Sequence, residues 1–216
     1  YTVCEVDATE ELRLFLSGSD GAVLGTFGAV DSALAPDNQR LAFATNAGMY
    51  HEDRSPVGLY REDGDEAQGV IASAGPGNFG MLPNGVFCIR EDRLAVIETG
   101  RFQTLDAAEC PSATQSGPML VIDGELHPRF LPDSTSRYIR NGVGVSEDGA
   151  TAWFVMSDAP VTFHEFGSVF RDSLKVPQAL YFDGNISRLY APDIGRNDLG
   201  LRMGPIVGVV APMVDD

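Results

Sequence analysis

The dipeptide Asp-Gly occurs five times in this chain, at Asp20-Gly21, Asp63-Gly64, Asp123-Gly124, Asp148-Gly149 and Asp183-Gly184. Glycine accepts positive φ without a Cβ clash and aspartate tolerates it, so Asp-Gly between apolar runs signals a β-hairpin. Repeated five times in 216 residues, the signal restricts the chain to folds in which short strands double back. The first four steps read as hairpin turns. The fifth lies in Ala-Leu-Tyr-Phe-Asp-Gly-Asn-Ile-Ser (179–187), where Asp183 follows four apolar residues. A carboxylate emerging there, at the end of a buried strand, can have its pKa tuned by partial burial and act as base or nucleophile. A turn aspartate accepting local backbone hydrogen bonds is the plainer reading of the same residues.

The apolar pattern between these turns is mostly strand-like. Leu12, Leu14 and Leu16 alternate, the chain turns at 17–21, and Val23 and Leu24 return. Further strands are predicted at residues 1–6, 40–45, 85–90, 94–98, 119–122, 143–146, 151–156 and 179–182, with a short helical piece at 30–34. Residues 57–60 are expected to turn at Asp63-Gly64 and pair with 69–72. One helix has a defined start: Thr162 and Glu165 form a Thr-x-x-Glu capping box, in which each side chain satisfies an orphan backbone donor. Phe166, Val169, Phe170 and Leu174 then fall on one face, and Pro177 prevents continuation. Strands outnumber helices and most connections are hairpin-length. The predicted fold is therefore α+β, a hairpin-rich mixed or antiparallel sheet with a few packed helices, forming a single domain over residues 1–216.

A hydrophobic content of 44% with 21% charged residues fits a globular core of this size. The formal net charge of -16 argues against nonspecific binding to nucleic acid or an anionic membrane surface. An anionic small substrate would instead need a local cluster of arginine or backbone N–H groups. Cys4, Cys88 and Cys110 are too few for a disulfide scaffold or a zinc site; one bridge with one free thiol and three free thiols both fit. The longest apolar stretch, 203–214, is broken by glycine and proline and too short to span a bilayer, so no membrane insertion is expected. The chain opens directly on strand-like sequence. A mature exported chain without its leader would begin this way, as would a trimmed one, and a periplasmic or secreted location is expected.

Five glycine-bearing polar segments interrupt the apolar strands: 46–49, 75–78, 114–118, 140–144 and 183–187. Glycine there lets a ligand approach the backbone closely, although each segment taken singly is an ordinary turn. Arg140 offers a bidentate fork for a phosphate or carboxylate, or a surface ion pair. Ser116, in Gln115-Ser116-Gly117-Pro118, lacks the Gly-x-Ser-x-Gly pattern of a nucleophile elbow and reads as a ligand-binding hydroxyl in a tight loop. Asn46 suits a sugar hydroxyl or an Asx-turn. Gly75-Pro76-Gly77 lacks the ending of a P-loop. His51, His127 and His164 show no metal-ligand spacing, and neither metal nor cofactor is expected.

The order of these segments is more specific than any one of them. Asn-Ala-Gly-Met-Tyr (46–50), Pro-Val-Gly-Leu-Tyr (56–60), Gly-Asn-Phe (77–79) and Pro-Asn-Gly-Val-Phe (83–87) are followed by Ala-Thr-Gln-Ser-Gly-Pro-Met-Leu (113–120). Arg-Asn-Gly-Val-Gly-Val (140–145) and Leu-Tyr-Phe-Asp-Gly-Asn-Ile-Ser (180–187) complete the series. Together they resemble the phosphodiester glycosidase domain family, in its bacterial exported branch; a eukaryotic relative is the lysosomal uncovering enzyme. The resemblance implies a hydrolase that cleaves the sugar–phosphate bond of a glycosyl phosphodiester in a phosphorylated, envelope or extracellular glycan. A non-catalytic module binding an anionic glycan is the alternative. The resemblance maps the family's site segments onto Asn46, Gly48, Ser116, Gly117, Pro118, Arg140, Asp183, Gly184 and Ser187. On that basis Asp183 and Arg140 are expected to be catalytic, and Asn46, Gly48, Gln115, Ser116, Gly117, Gly184 and Ser187 to bind substrate. The family's Asp-Gly-Gly-x-Ser turn is altered here, with Asn185 and Ile186 in its middle, which leaves the substrate open.

Overall fold

Turn chemistry and strand patterning together set the architecture. The computed structural model describes residues 1–183 and 186–213. In chain order the strands begin with β1 (Thr2–Asp7), β2 (Leu12–Phe15), β3 (Gln39–Asn46), β4 (Tyr60–Glu62), β5 (Asp65–Gln68) and β6 (Gly85–Ile89). Next come β7 (Leu94–Glu98), β8 (Ser112–Ser116), β9 (Met119–Ile122), β10 (Glu125–Leu126) and β11 (Asn141–Val145). The last are β12 (Thr151–Met156), β13 (Gln178–Tyr181), β14 (Leu189–Ala191), β15 (Arg196–Asn197) and β16 (Ile206–Pro212). They form a six-stranded sheet, β1-β12-β11-β13-β9-β10, and two five-stranded sheets, β15-β14-β3-β16-β2 and β5-β4-β8-β6-β7. Every pairing among these strands is antiparallel, and short helices pack on the sheets, as an α+β fold requires.

Four Asp-Gly steps close turns. Asp63 and Gly64 (φ 50° and 93°) join β4 to β5, and Asp123 and Gly124 (φ 50° and 83°) join β9 to β10. Both central residues are left-handed, the type I′ condition that matches strand twist. Asp20 and Asp148 instead accept the backbone N–H two residues on, from Ala22 at 2.9 Å and Ala150 at 3.0 Å. Asp183 behaves differently. It follows β13 in the six-stranded sheet and leads toward β14 in another sheet, so this segment is a crossing and not a hairpin.

The three sheets meet at a cluster of aromatic side chains. Phe154 of the six-stranded sheet lies 5.1 Å from Phe43 and 5.7 Å from Phe87, which belong to the other two sheets. Phe182, buried next to Phe87, brings the residue before Asp183 into the same cluster. The capping box at Thr162 and Glu165 is formed, with hydrogen bonds of 3.1 and 2.8 Å, and starts the helix Phe163–Ser168, which continues as a π turn to Ser173.

Several local expectations are corrected. The predicted helix at 30–34 spans Phe27–Leu34, because Thr26 caps it and buries Phe27, Val30 and Leu34 at helical spacing. The partner of β4 is Asp65–Gln68, since the I′ turn closes immediately; residues 69–72 are held by other bonds. Residues 114–116 belong to β8, all of it buried, and not to a loop. The apolar stretch at 203–214 supplies β16, which lies between β3 and β2; Val214 is outside the described residues.

Cys88 and Cys110 form a disulfide with Cα atoms 5.5 Å apart, and Cys4 is free. The bridge ties β6 to the segment before β8 across a sequence separation of 22 residues. On loop-closure grounds, reducing it is expected to remove roughly 3 kcal/mol of stability. Urea unfolding with and without reductant checks this, and an unchanged midpoint would contradict it.

Candidate active site

Strand alternation decides which side chains meet at the end of β13. Leu180 and Phe182 point into the shared aromatic core, whereas Tyr181 is packed with Phe163 and Phe166 on the other face. The backbone that carries Asp183 is pinned at three atoms. Its N–H donates to Asn141 Oδ1 at 2.9 Å, the Phe182 carbonyl accepts from Ser116 Oγ at 2.7 Å, and its own carbonyl accepts from Ser187 Oγ at 3.1 Å. Asn141 in turn donates from Nδ2 to Asn46 Oδ1, which also accepts the Arg188 N–H at 3.0 Å. Asn141 lies on β11 and Asn46 on β3, so the two asparagines tie both ends of the 183–188 crossing to different sheets.

Arg140 stands immediately before β11 and is 1% exposed. Its guanidinium lies 3.6 Å from the centre of the Phe163 ring and 5.5 Å from the rings of Tyr138 and Tyr181. Nε donates to the Val161 carbonyl at 2.9 Å and Nη2 to the Ser136 carbonyl at 3.2 Å. Among the described residues no ion pair includes it, and Nη1 has no hydrogen-bond partner. Burial lowers the pKa of this guanidinium. A buried cation without a carboxylate is costly, which is expected where an anionic ligand completes the pair.

A cavity of about 330 Å³ is lined by Met49, Gly77, Asn78, Ser136, Tyr138, Tyr181 and Asp183; Arg140 is not itself in the lining but lies behind Ser136, Tyr138 and Tyr181, which it contacts. Asp183 is half-buried at the cavity's edge. The Tyr181 hydroxyl, like Arg140 Nη1, is buried and has no hydrogen-bond partner among the described residues. Burial pushes the Tyr181 phenol well up and the Asp183 carboxylate adds to it, while the Arg140 charge and the nearby Arg140 and Asn78 side chains, close to the hydroxyl but short of hydrogen-bond geometry, oppose that. A larger depression of about 400 Å³ near Trp153 and Lys175 carries no unpartnered buried polar atom in its lining.

The structure gathers the sequence-predicted residues around Asp183 but changes what several of them do. Ser116 Oγ, Ser187 Oγ and Asn46 Oδ1 bond to the crossing's backbone, so these residues position Asp183, while Asn46 Nδ2 is buried without a hydrogen-bond partner among the described residues; none of the three lines the cavity. Gln115 is buried in β8 and staples neighbouring chain segments: its Oε1 accepts from the Leu59 and Ile71 N–H groups, and Nε2 donates to the Ile71 carbonyl and Thr99 Oγ1. Gly48 is required by chain packing, because a Cβ there would lie 2.4 Å from the Gln115 carbonyl oxygen. At Gly117 a Cβ would sit 2.7 Å from Asn84 Cβ. Both glycines therefore accommodate protein and not ligand. Gly184 lies outside the described residues.

Two residues at the centre of the site were not singled out from sequence. Tyr181 sits two positions before Asp183, and strand period two puts both on one face; that spacing was the available signal. Asn141 adjoins Arg140 inside a segment already marked as polar, but only the sheet register, Gly142 opposite Tyr181, shows that its side chain reaches the Asp183 N–H.

A half-buried carboxylate at the edge of a cleft, with a buried cation behind it that has no ion pair among the described residues, is an arrangement suited to an anionic ligand. The family comparison makes that specific: residues 39–200 match the model of the phosphodiester glycosidase family, and the chain belongs to that family. Its chemistry is therefore in general that of a hydrolase of glycosyl phosphodiesters. The chain is 35% identical to the uncharacterized protein YigE of Escherichia coli (strain K12) over 182 residues, covering 84% of this chain and 70% of that protein. Two solved structures share the fold. The zebrafish N-acetylglucosamine-1-phosphodiester alpha-N-acetylglucosaminidase catalytic domain, auto-inhibited by its pro-peptide, aligns with a TM-score of 0.64 at 12% identity, over 96% of this chain and 82% of that one. A hypothetical protein from Synechocystis aligns with a TM-score of 0.62 at 13% identity, over 97% of this chain but 58% of the other.

Proposed function

We propose that this protein hydrolyses the bond between a sugar and phosphate in a glycosyl phosphodiester of an exported, envelope or extracellular glycan. One observation carries the reading: Asp183 edges the same cavity that Arg140 backs with a buried charge and no ion pair among the described residues. In the reaction the bond from C1 to the phosphate oxygen breaks and its electron pair leaves with the phosphate. Water supplies the new C1 oxygen, directly or through an enzyme-bound intermediate, and its proton ends on the released phosphate or in solvent. A phosphate is a good leaving group, so the site needs charge stabilisation more than a strong acid. Arg140 supplies that stabilisation, and Asp183 acts at the anomeric carbon as nucleophile or general base. The Cys88–Cys110 disulfide supports an oxidising, extracytoplasmic location.

A second reading has an observation of its own. Asp183 is the only carboxylate among the described residues lining the cavity, which suits a module that binds an anionic glycan without turning it over. Incubation with a panel of sugar-1-phosphodiesters separates the two. Free sugar and a phosphomonoester in equal amounts are expected; saturable binding without either product would favour the module and overturn the enzyme.

A further inference from the structure

We infer that the Tyr181 hydroxyl is a second phosphate ligand, donating beside Arg140 Nη1 to the non-bridging oxygens of the diester. This rests on the cavity being the phosphate's binding place, as in the function proposed above. The carrying observation is a coincidence of two unsatisfied donors. Arg140 and Tyr181 are 1% and 0% exposed, yet each keeps one polar atom without a hydrogen-bond partner among the described residues. The guanidinium carbon is 5.5 Å from the Tyr181 ring centre, and Tyr181 itself lines the cavity.

Their surroundings hold both groups ready. Phe163 lies against the guanidinium at 3.6 Å and meets the Tyr181 ring edge-on at 4.8 Å. Phe163 is the first residue of the capped helix, so the Thr162–Glu165 box fixes the ring that positions both donors. A buried donor left unpaired costs stability in the ligand-free protein, and an oxyanion accepting from both would relieve two such costs together. With its pKa raised by burial, the phenol remains a donor throughout the neutral range.

The test is Tyr181→Phe, which removes only the hydroxyl, probed with diethyl phosphate, a monoanionic phosphodiester with no sugar. Binding is followed by phosphorus NMR line broadening at a temperature where both proteins are folded by circular dichroism. The variant is expected to bind roughly ten-fold more weakly, the loss of one hydrogen bond to a charged group. Its ligand-free melting temperature should be unchanged or higher. Equal binding by the two proteins, or none by the unaltered one, overturns the inference. Turnover of sugar phosphodiesters separates this from the proposed function. Tyrosine-dependent binding without turnover would keep the phosphate ligand and remove the enzyme; turnover with tyrosine-independent binding would do the reverse.

Discussion

Asp183→Asn is expected to lower glycosyl phosphodiester turnover by at least ~10³-fold, about 4 kcal/mol in the barrier, while the protein stays folded. The substitution is nearly isosteric. Three contacts that locate the residue run through the backbone: the N–H to Asn141, its carbonyl to Ser187, and the preceding carbonyl to Ser116. These survive the change, and the carboxylate charge that the proposed mechanism uses as nucleophile or base is removed. Asp183→Glu offers a control, since it keeps the charge but displaces it by about one methylene; it should fall between the two, because reacting groups tolerate little misplacement. Released sugar measured at matched folded concentration checks both variants. A folded Asp183→Asn protein with full turnover would remove Asp183 from the chemistry.

Gln115→Ala should produce the opposite pattern, a large loss of stability with little loss of chemistry. The amide is 1% exposed and serves Leu59, Ile71 and Thr99 through bonds of 2.7–3.0 Å. Truncation strands a buried Leu59 N–H, frees the 71 region from β8 and leaves a void. Unpaired buried groups cost about 1–3 kcal/mol each, and water can reach only the half-buried Ile71 end, so a total near 4 kcal/mol is expected. Urea unfolding measures that loss. Turnover measured at low temperature, where the variant is still folded, should remain within a few-fold of the unaltered protein. A stable variant that has lost turnover would return Gln115 to the substrate-binding role that its sequence context suggested.

The contrast between these residues shows what was legible in the chain. Turn chemistry is local, so four Asp-Gly turns and the Thr162–Glu165 box could be read from adjacent residues alone. The fifth Asp-Gly stood out because four apolar residues precede it, and Phe182 does anchor Asp183 to the core. Burial of polar residues was not legible. Thr114, Gln115 and Ser116 look like a loop because their hydrogen-bond partners are remote in sequence, Ser116 and Phe182 being 66 residues apart. The same is true of Asn46, which acts 95 residues away on Asn141. Sequence order picked out residues that converge on Asp183, yet it could not tell a ligand of the substrate from a ligand of the backbone that holds Asp183.

The two asparagines that pin the crossing belong to different sheets, Asn46 to the sheet built around β3 and Asn141 to the one built around β11. The placement of Asp183 is thus lodged in a joint. Each sheet has its own hydrogen-bonded ladder, and the carboxylate's position depends on the alignment of the two. Substitutions in the aromatic seam, far from any substrate, would then be felt as lost activity before they are felt as lost structure. For a chain with this architecture, the interface between sheets is as much a part of the candidate site as the cleft.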